Sequence, residues 1–580
     1  MATADELRAQ AMQAAKSGQF ARAGQLAAGA TDGYFRAKSF ENAHVCRVLQ
    51  ARCSQQAGDL NTAEELLRAA ISDAQRRGHQ RQTLEGMTEL GGVLELVGNL
   101  RDAVALHREV MALRSIETDP VGYAIASANV ARLVTRLAPP ERRSEALVES
   151  RKLLTESGQL FVAHGHAAHA GHVLVVLGDL ERGSGNLTQA KTALLDALTV
   201  AERTGQSSLL SVTLLNLGMI ERDLGQSADC RIHLKRAHAV ATKAGDRLQL
   251  ARILLAQALL AADDLPPFDV AALFASVEAD FVAIGQHQGA IPAIANRAAA
   301  MARAGHLHEA HGLLAKLQVQ LQSAGDRLSA SEIDLSLAEL LFTIGDKNRF
   351  RLAMQQLQSA DLPIRLEQRL SLLRARESMR SLDLPHVREF SARVRGAEIS
   401  RSASFSLELL RAQLLTFAGD HSATEVLQGL AGQAAPSPRE SAAVSSALAT
   451  TLAWQGRVNR AAEVANEALA KWQALQEPLS IASAACTVIC TSFNSAQREA
   501  AWVVIDRQIV MACRDQALVC EAVRLLLDRN IPAYQRVLVQ MRKDGNKAGA
   551  VWLARVSGGR LANRELLDFA QTIAVRYQIR

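Results

Sequence analysis

Four histidines crowd one short stretch, FVAHGHAAHAGHV, at His164, His166, His169 and His172. The last three step by three residues, which predicts one slowly drifting helix face. Neutral imidazoles at that spacing bind zinc, nickel or copper, and their protonation at about pH 6 makes a switch. No carboxylate or cysteine stands nearby in the sequence to complete a ligand set, so the plainer reading is a polar, His-rich helix face. The string HEAH at His308 to His311 lacks the HEXXH spacing of zinc proteases. Phosphate-cradling loops of the G-x-x-x-x-G-K-[ST] and G-x-G-x-x-G kinds are absent, and so is G-x-S-x-G. The GSG at Gly183 to Gly185 reads as a turn. No motif argues for an active site, so the expectation is a non-enzymatic protein without a cofactor.

The seven cysteines fall inside helical patterns. Cys46 and Cys53, Cys513 and Cys520, and Cys486 and Cys490 are close neighbours along one helix and make poor disulfide partners, so reduced, buried thiols in a cytoplasmic protein are expected. The opening MATADELRAQ is polar and carries no leader pattern. No apolar run reaches the roughly eighteen residues of a membrane span, so no membrane partner is expected. Net charge is +6 and is carried by the C-terminal end: residues 501–580 hold 13 Lys+Arg against 7 Asp+Glu. Such a segment meets nucleic acid or an acidic surface, or simply solvates a capping helix pair. Trp502, Tyr534, Trp552 and Tyr577 interleave only thinly with it.

The elements that must carry these residues are set by a ladder of small side chains. Ala11/Ala23, Ala51/Ala63, Gly91/Ala103, Gly178/Ala190, Gly218/Cys230, Ala298/Ala310 and Ala449/Ala461 are pairs twelve apart, with weaker copies at Ala338/Phe350 and Ala412/Thr424. Seven residues after each first member comes a glycine: Gly18, Gly58, Gly98, Gly185, Gly225, Gly305, Gly345, Gly419 and Gly456. Helices approach closely only where the side chains between them are small, and a left-handed glycine caps the open carbonyls of the first helix. The pattern therefore predicts helix, tight turn, helix, repeated at a step of 40 residues. Asp59, Asn99, Asn186, Gln226, Asp346 and Asp420 follow the glycines and suit an N-cap or turn. Further copies are read around Ala131 and Ala146, with the turn lengthened by APPERRS, and across DDLPP at 263–267.

In VLGDLERGSGNLTQAKTALLDALTVAERTG, the residues Leu177, Gly178, Gly185, Leu187, Ala190, Leu194 and Ala197 resemble the tetratricopeptide repeat (TPR) family. The usual period of that family is about 34. The longer step resembles kinesin light chains and the sensor arms of bacterial regulators, and the closing proline and the early aromatic are mostly missing. The resemblance covers about residues 1–495. It implies an all-α, right-handed superhelical solenoid of antiparallel helix pairs, about twelve of them. We divide the chain into a regular array at 1–345, degenerate repeats at 346–495 with a hinge at 432–440, and a basic helical cap at 496–580. A second soft point is Leu382 to His386.

The resemblance also implies that the first helix of each repeat lines a concave groove. Carried over position by position, it puts Asn129, Asn216 and Asn296 two before the small residue. It puts Arg52 and Arg132 one after, Arg182 and Arg222 four after, and Arg136 and Arg303 five after. Asn amides pair with peptide backbone, and Arg forks hold carboxylates or phosphates. The implied function is a protein-binding scaffold or adaptor whose groove takes a partner peptide and suits an acidic one. Two alternatives stand beside it: a sensor that binds a peptide or small ligand to control a separate effector, and a nucleic-acid-associated subunit acting through residues 501–580.

Overall fold

The computed structural model describes residues 3–577 and 579, other than 98, 139–141, 325–326, 359–361, 363, 395–399 and 433–436. The side chains of residues 136, 143, 324, 327, 328, 358 and 364 are also outside the description. Gly98, most of the expected 432–440 hinge and part of the APPERRS turn therefore lie outside the described residues. Within them, every regular element is a helix, and there are 31, from Ala4–Lys16 to Arg564–Arg576. This exceeds the expected twelve pairs, because helical pairing continues through the irregular region and the basic end.

Successive helices open at Phe20, Phe40, Leu60, Gln80, Leu100 and Pro120. After the 21-residue helix Arg143–Ala163, they open at Ala167, Leu187, Ser207, Ser227, Arg247, Pro267, His287, Leu307, Arg327 and Lys347. Neighbours in sequence pack on one another and bury a succession of apolar clusters along the array. Of the nine ladder glycines, the eight described ones all sit at positive φ, from +72° to +91°.

The small residues are required by what sits on them. A Cβ on Gly178 would lie 2.7 Å from Cγ of Leu194, and one on Gly218 would lie 2.9 Å from Leu234. Each glycine is a seat for a leucine of the second helix, sixteen residues on. In the copy at Gly91 that seat is taken by His107, which is fully buried. The weak copy at Ala412/Thr424 is shifted by one: Ala423 fills the buried slot, and Thr424 turns out to donate to Oε1 of Gln455 at 3.1 Å. Among the residues after the glycines, Asp59 and Asp346 accept from the backbone N–H three residues on, at 3.1 Å each, and Asp420 accepts from Ser422 N–H at 2.9 Å. Asn186 and Gln226 do otherwise. Asn186 donates to buried Glu181 at 2.8 Å, and Gln226 accepts from Lys191 at 2.6 Å, so both tie neighbouring helices together instead of capping.

The array coils until its own turns meet. Gln286 donates to Oε1 of Gln56 at 2.9 Å across 230 residues of sequence. Gly18, at φ +77°, stands so close to Ile284 that a Cβ there would lie 2.7 Å from the Ile284 carbonyl oxygen. Further along, Arg401 donates to the Gly225 carbonyl at 3.3 Å, Arg303 lies 3.7 Å from Glu477, and Arg380 pairs with Asp515 at 2.6 Å. The helix–helix turns that the glycines form are thus also the edges along which one coil rests on the next.

The last helices do not stand apart. They share one apolar core with helices Pro438–Trp454 and Pro478–Thr491, and Trp552 Nε1 donates to the Thr450 carbonyl at 3.1 Å. All seven cysteines are free and buried. The close thiol pair joins Cys486 to Cys520 across two helices at 3.6 Å, a proximity that spacing along one helix does not reveal.

Candidate functional site

Asp223 ends helix Ser207–Asp223, and Arg182 stands one residue before the end of the equivalent helix Ala167–Gly183. Basic side chains suit a helix C-terminus, and an acidic one there needs compensation. Asp223 receives it from three directions. Arg182 Nε lies 2.8 Å from its Oδ2, Arg365 lies 2.7 Å from the same oxygen, and Arg222 lies 3.2 Å from Oδ1. Its side chain is only 5% exposed. Burial works against the carboxylate, but the Arg182, Arg222 and Arg365 guanidiniums outweigh it and hold its pKa at about 2. Arg365 is itself pushed below its ordinary value, by burial first and then by Arg182. Positive charge is therefore crowded around one carboxylate.

Arg365 belongs to helix Ile364–Arg380, which comes from the next coil. On that helix Arg365, Arg369 and Arg376 fall at i, i+4 and i+11, which is one face. Arg369 binds Glu339 through two nitrogens, at 2.7 and 2.5 Å, and reaches Ser336 at 3.1 Å. Arg376 has no carboxylate within ion-pair distance among the described residues. It is exposed into the cavity, while the surrounding protein lowers its pKa through desolvation.

Between these two coils lies a cavity of about 340 Å³. Among the described residues, Arg182, Arg222, Arg365, Arg369 and Arg376 line it against Asp223 and Glu339. The start of helix Arg401–Phe417 also lines it, with Ser400, Ser402 and Ser406. Ser400 is the N-cap and accepts from Ala403 N–H at 3.3 Å. A helix N-terminus and a set of guanidiniums thus line one partly open space, which is an arrangement for an anion.

Of the residues expected on the concave face, Arg182 and Arg222 line this cavity. Asn216 is not among its lining residues and donates to Oδ1 of Asp179 at 3.4 Å. The others are distributed along the array. Arg52 pairs with Glu89 at 2.5 Å, and Arg132 pairs with Glu95 at 2.7 Å, each a tie between adjacent repeats. Arg303 donates twice to the Ala262 carbonyl at 3.2 Å and is held between coils near Glu477. Asn296 donates to the carbonyl of Pro292 in its own helix at 2.7 Å, and Asn129 is half-buried. The Arg136 side chain is outside the described residues. Arg365, Arg369 and Arg376 escaped the sequence reading because they fall where the small-residue ladder fails. Their signal was the arginine spacing in IRLEQRLSLLRARESMR itself.

The rings of His166 and His169 meet edge-on at 5.4 Å. His166 is the N-cap residue of Ala167–Gly183, His169 stacks on Phe161 at 5.2 Å, and no group of three metal-binding side chains is assembled among the described residues. At the basic end, the aromatic faces are covered by the chain's own cations. Arg507 and Arg524 lie over Trp502, Lys547 over Tyr577, Arg542 over Phe569 and Arg555 over Trp454. Arg560 is turned inward, to the carbonyls of Ile489 and Ser492. Much of the C-terminal positive charge is therefore spent on packing. Among the described residues, no helix is long and apolar enough to cross a membrane.

The fold is an all-α solenoid of consecutively packed helix pairs, coiled closely enough for its turns to touch, with a basic cavity between coils. No protein-family model matches the sequence, and no curated protein does. Solved structures overlap it at low identity. A Signal Transduction ATPase with Numerous Domains protein with a tetratricopeptide repeat sensor, from Pyrococcus horikoshii, matches at 14% identity and TM-score 0.31, over 58% of this chain and about half (52%) of its own. Human IFIT1 with m7Gppp-AAAA matches at 14% and TM-score 0.32 over 81% and 90% of the two chains. Yeast Tom70 matches at 12% and TM-score 0.27 over 91% and 99%. These overlaps concern fold alone.

Proposed function

We propose that this protein is a non-enzymatic interaction scaffold that holds an acidic segment of a protein partner at the cavity between its coils. One observation carries the reading: five guanidiniums from two separate stretches of chain line a space to which the described residues contribute two carboxylates. An acidic side chain entering there meets pre-aligned donors whose mutual repulsion it relieves. The cavity also draws on Arg182 and Arg222, which a tetratricopeptide groove would present to its ligand.

Affinity capture from the source cell tests the reading, using wild-type protein and an Asn216→Ala/Arg222→Ala variant as baits. Asp223 keeps Arg182 and Arg365 in that variant, so the coils stay joined. The expected result is selective loss of a partner whose capture by the wild type weakens as salt rises. An unchanged set of partners would remove the cavity from the account and leave the fold standing.

A further inference from the structure

The anion that fits this cavity is more specific than a carboxylate. Arg182, Arg222 and Arg365 already share Asp223, and Arg369 is engaged with Glu339. Arg376, which has no carboxylate partner among the described residues, lines the cavity together with Arg222, Ser402, Ser406 and the first turn of helix Arg401–Phe417. A carboxylate offers two oxygens in one plane and a single charge. A phosphoryl group offers three terminal oxygens, tetrahedrally disposed, and close to two charges at neutral pH. The second offers these guanidinium, hydroxyl and helix N-terminal donors more acceptors and offsets more of the positive excess. Hydroxyl donors and a helix N-terminus add to guanidiniums in the way a phosphoryl group uses best.

We infer that the cavity is a phosphoryl-binding site, and that its ligand is a phosphate monoester borne either by a phosphorylated side chain of the partner or by a small organic molecule. This rests on the reading of the cavity as the ligand site and narrows its chemistry. A volume of about 340 Å³ admits the phosphoryl group and a few attached atoms, in the lower range of small-molecule pockets.

The test is calorimetric titration of the full chain with inorganic phosphate, succinate, a short phosphoserine peptide and glucose 6-phosphate. Wild type should bind phosphate at least tenfold more tightly than succinate. Arg376→Gln, which removes a side chain with no carboxylate partner among the described residues, should weaken phosphate about tenfold. Ser402→Asp, at an exposed position, should abolish phosphate binding while the helical circular dichroism stays unchanged. Tighter binding of the phosphoserine peptide supports the proposal with a modified partner as the source, and tighter binding of glucose 6-phosphate supports it with a small ester. Equal affinity for succinate and phosphate, both reduced by Arg376→Gln, would overturn phosphoryl selectivity and leave the acidic-segment reading intact. Phosphate binding unaffected by either variant would overturn the site itself.

Discussion

Replacing Asp223 by alanine is expected to destabilise the protein by about 3 kcal/mol and, at the same time, to tighten its grip on an acidic ligand severalfold. The first effect follows from removing the one carboxylate that three guanidiniums share, which leaves buried positive charge uncompensated. It also cuts the tie between helix Ser207–Asp223 and Arg365 of the next coil, so adjacent coils separate more easily. The second effect follows because the same change makes the cavity more positive. Urea denaturation and anisotropy titration of one preparation measure both. A change of the same sign in stability and affinity would contradict the assignment of Asp223 as an internal counter-ion. The acid behaviour of this residue has a defined window. Its folded pKa of about 2 lies below the unfolded value of 3.8, so its stabilisation is complete above about pH 4 and is lost as pH falls toward 2.

His107 governs a different window and gives the other large effect. It occupies the seat over Gly91 that Leu194 and Leu234 occupy over Gly178 and Gly218. It is fully buried, and neither ring nitrogen has a protein partner among the described residues. Burial, with a smaller contribution from Arg132, lowers its pKa to about 4. The folded value is below the unfolded value of 6.5, so the unfolded chain binds the proton first as pH falls. Stability should therefore decline by up to about 3 kcal/mol between pH 6.5 and 4, a range in which Asp223 contributes little. His107→Leu restores the repeat's own residue and should flatten this decline. At pH 7 it should add about 1–2 kcal/mol by removing unpaired buried nitrogens. Urea denaturation of wild type and variant at pH 7 and pH 5 measures it. An equal loss in both proteins would place the acid sensitivity elsewhere.

The helix pairs and their turns were legible because each turn imposes a local demand. A tight helix–helix crossing admits only small side chains, and the turn closing it needs a left-handed residue. Gly178 over Leu194 is such a demand written in two residues. Where left-handed positions are held by Lys38, Leu382, Gln476, Arg529 and Ala562, the sequence carries no comparable mark, and the count of helices came out low. The cavity was half legible. Arg182 and Arg222 came from the register of the repeat, but Arg365, Arg369 and Arg376 depend on how far the array coils. That pitch is the sum of many small rotations between repeats, and no single residue encodes it. The same reason hides the contact of Gly18 with Ile284 and the proximity of Cys486 to Cys520. The arginines at 52, 132 and 303 were read as ligand donors from their position alone. Their carboxylate and carbonyl partners lie in other repeats or in the next coil, outside the spacing that defined them.

The account turns on the cavity between coils being the place where acidic chemistry is received. Fluorescence anisotropy of a labelled octaglutamate peptide measures this directly, with wild type, an Arg222→Gln/Arg376→Gln variant and an Arg536→Gln/Arg564→Gln variant of equal net charge. The cavity pair should lose about tenfold or more in affinity at low salt, while the exposed C-terminal pair binds as wild type does. Equal losses in both variants would mean that the peptide reads only overall charge. Loss confined to the C-terminal pair would move the acidic-partner site to the basic end of the chain.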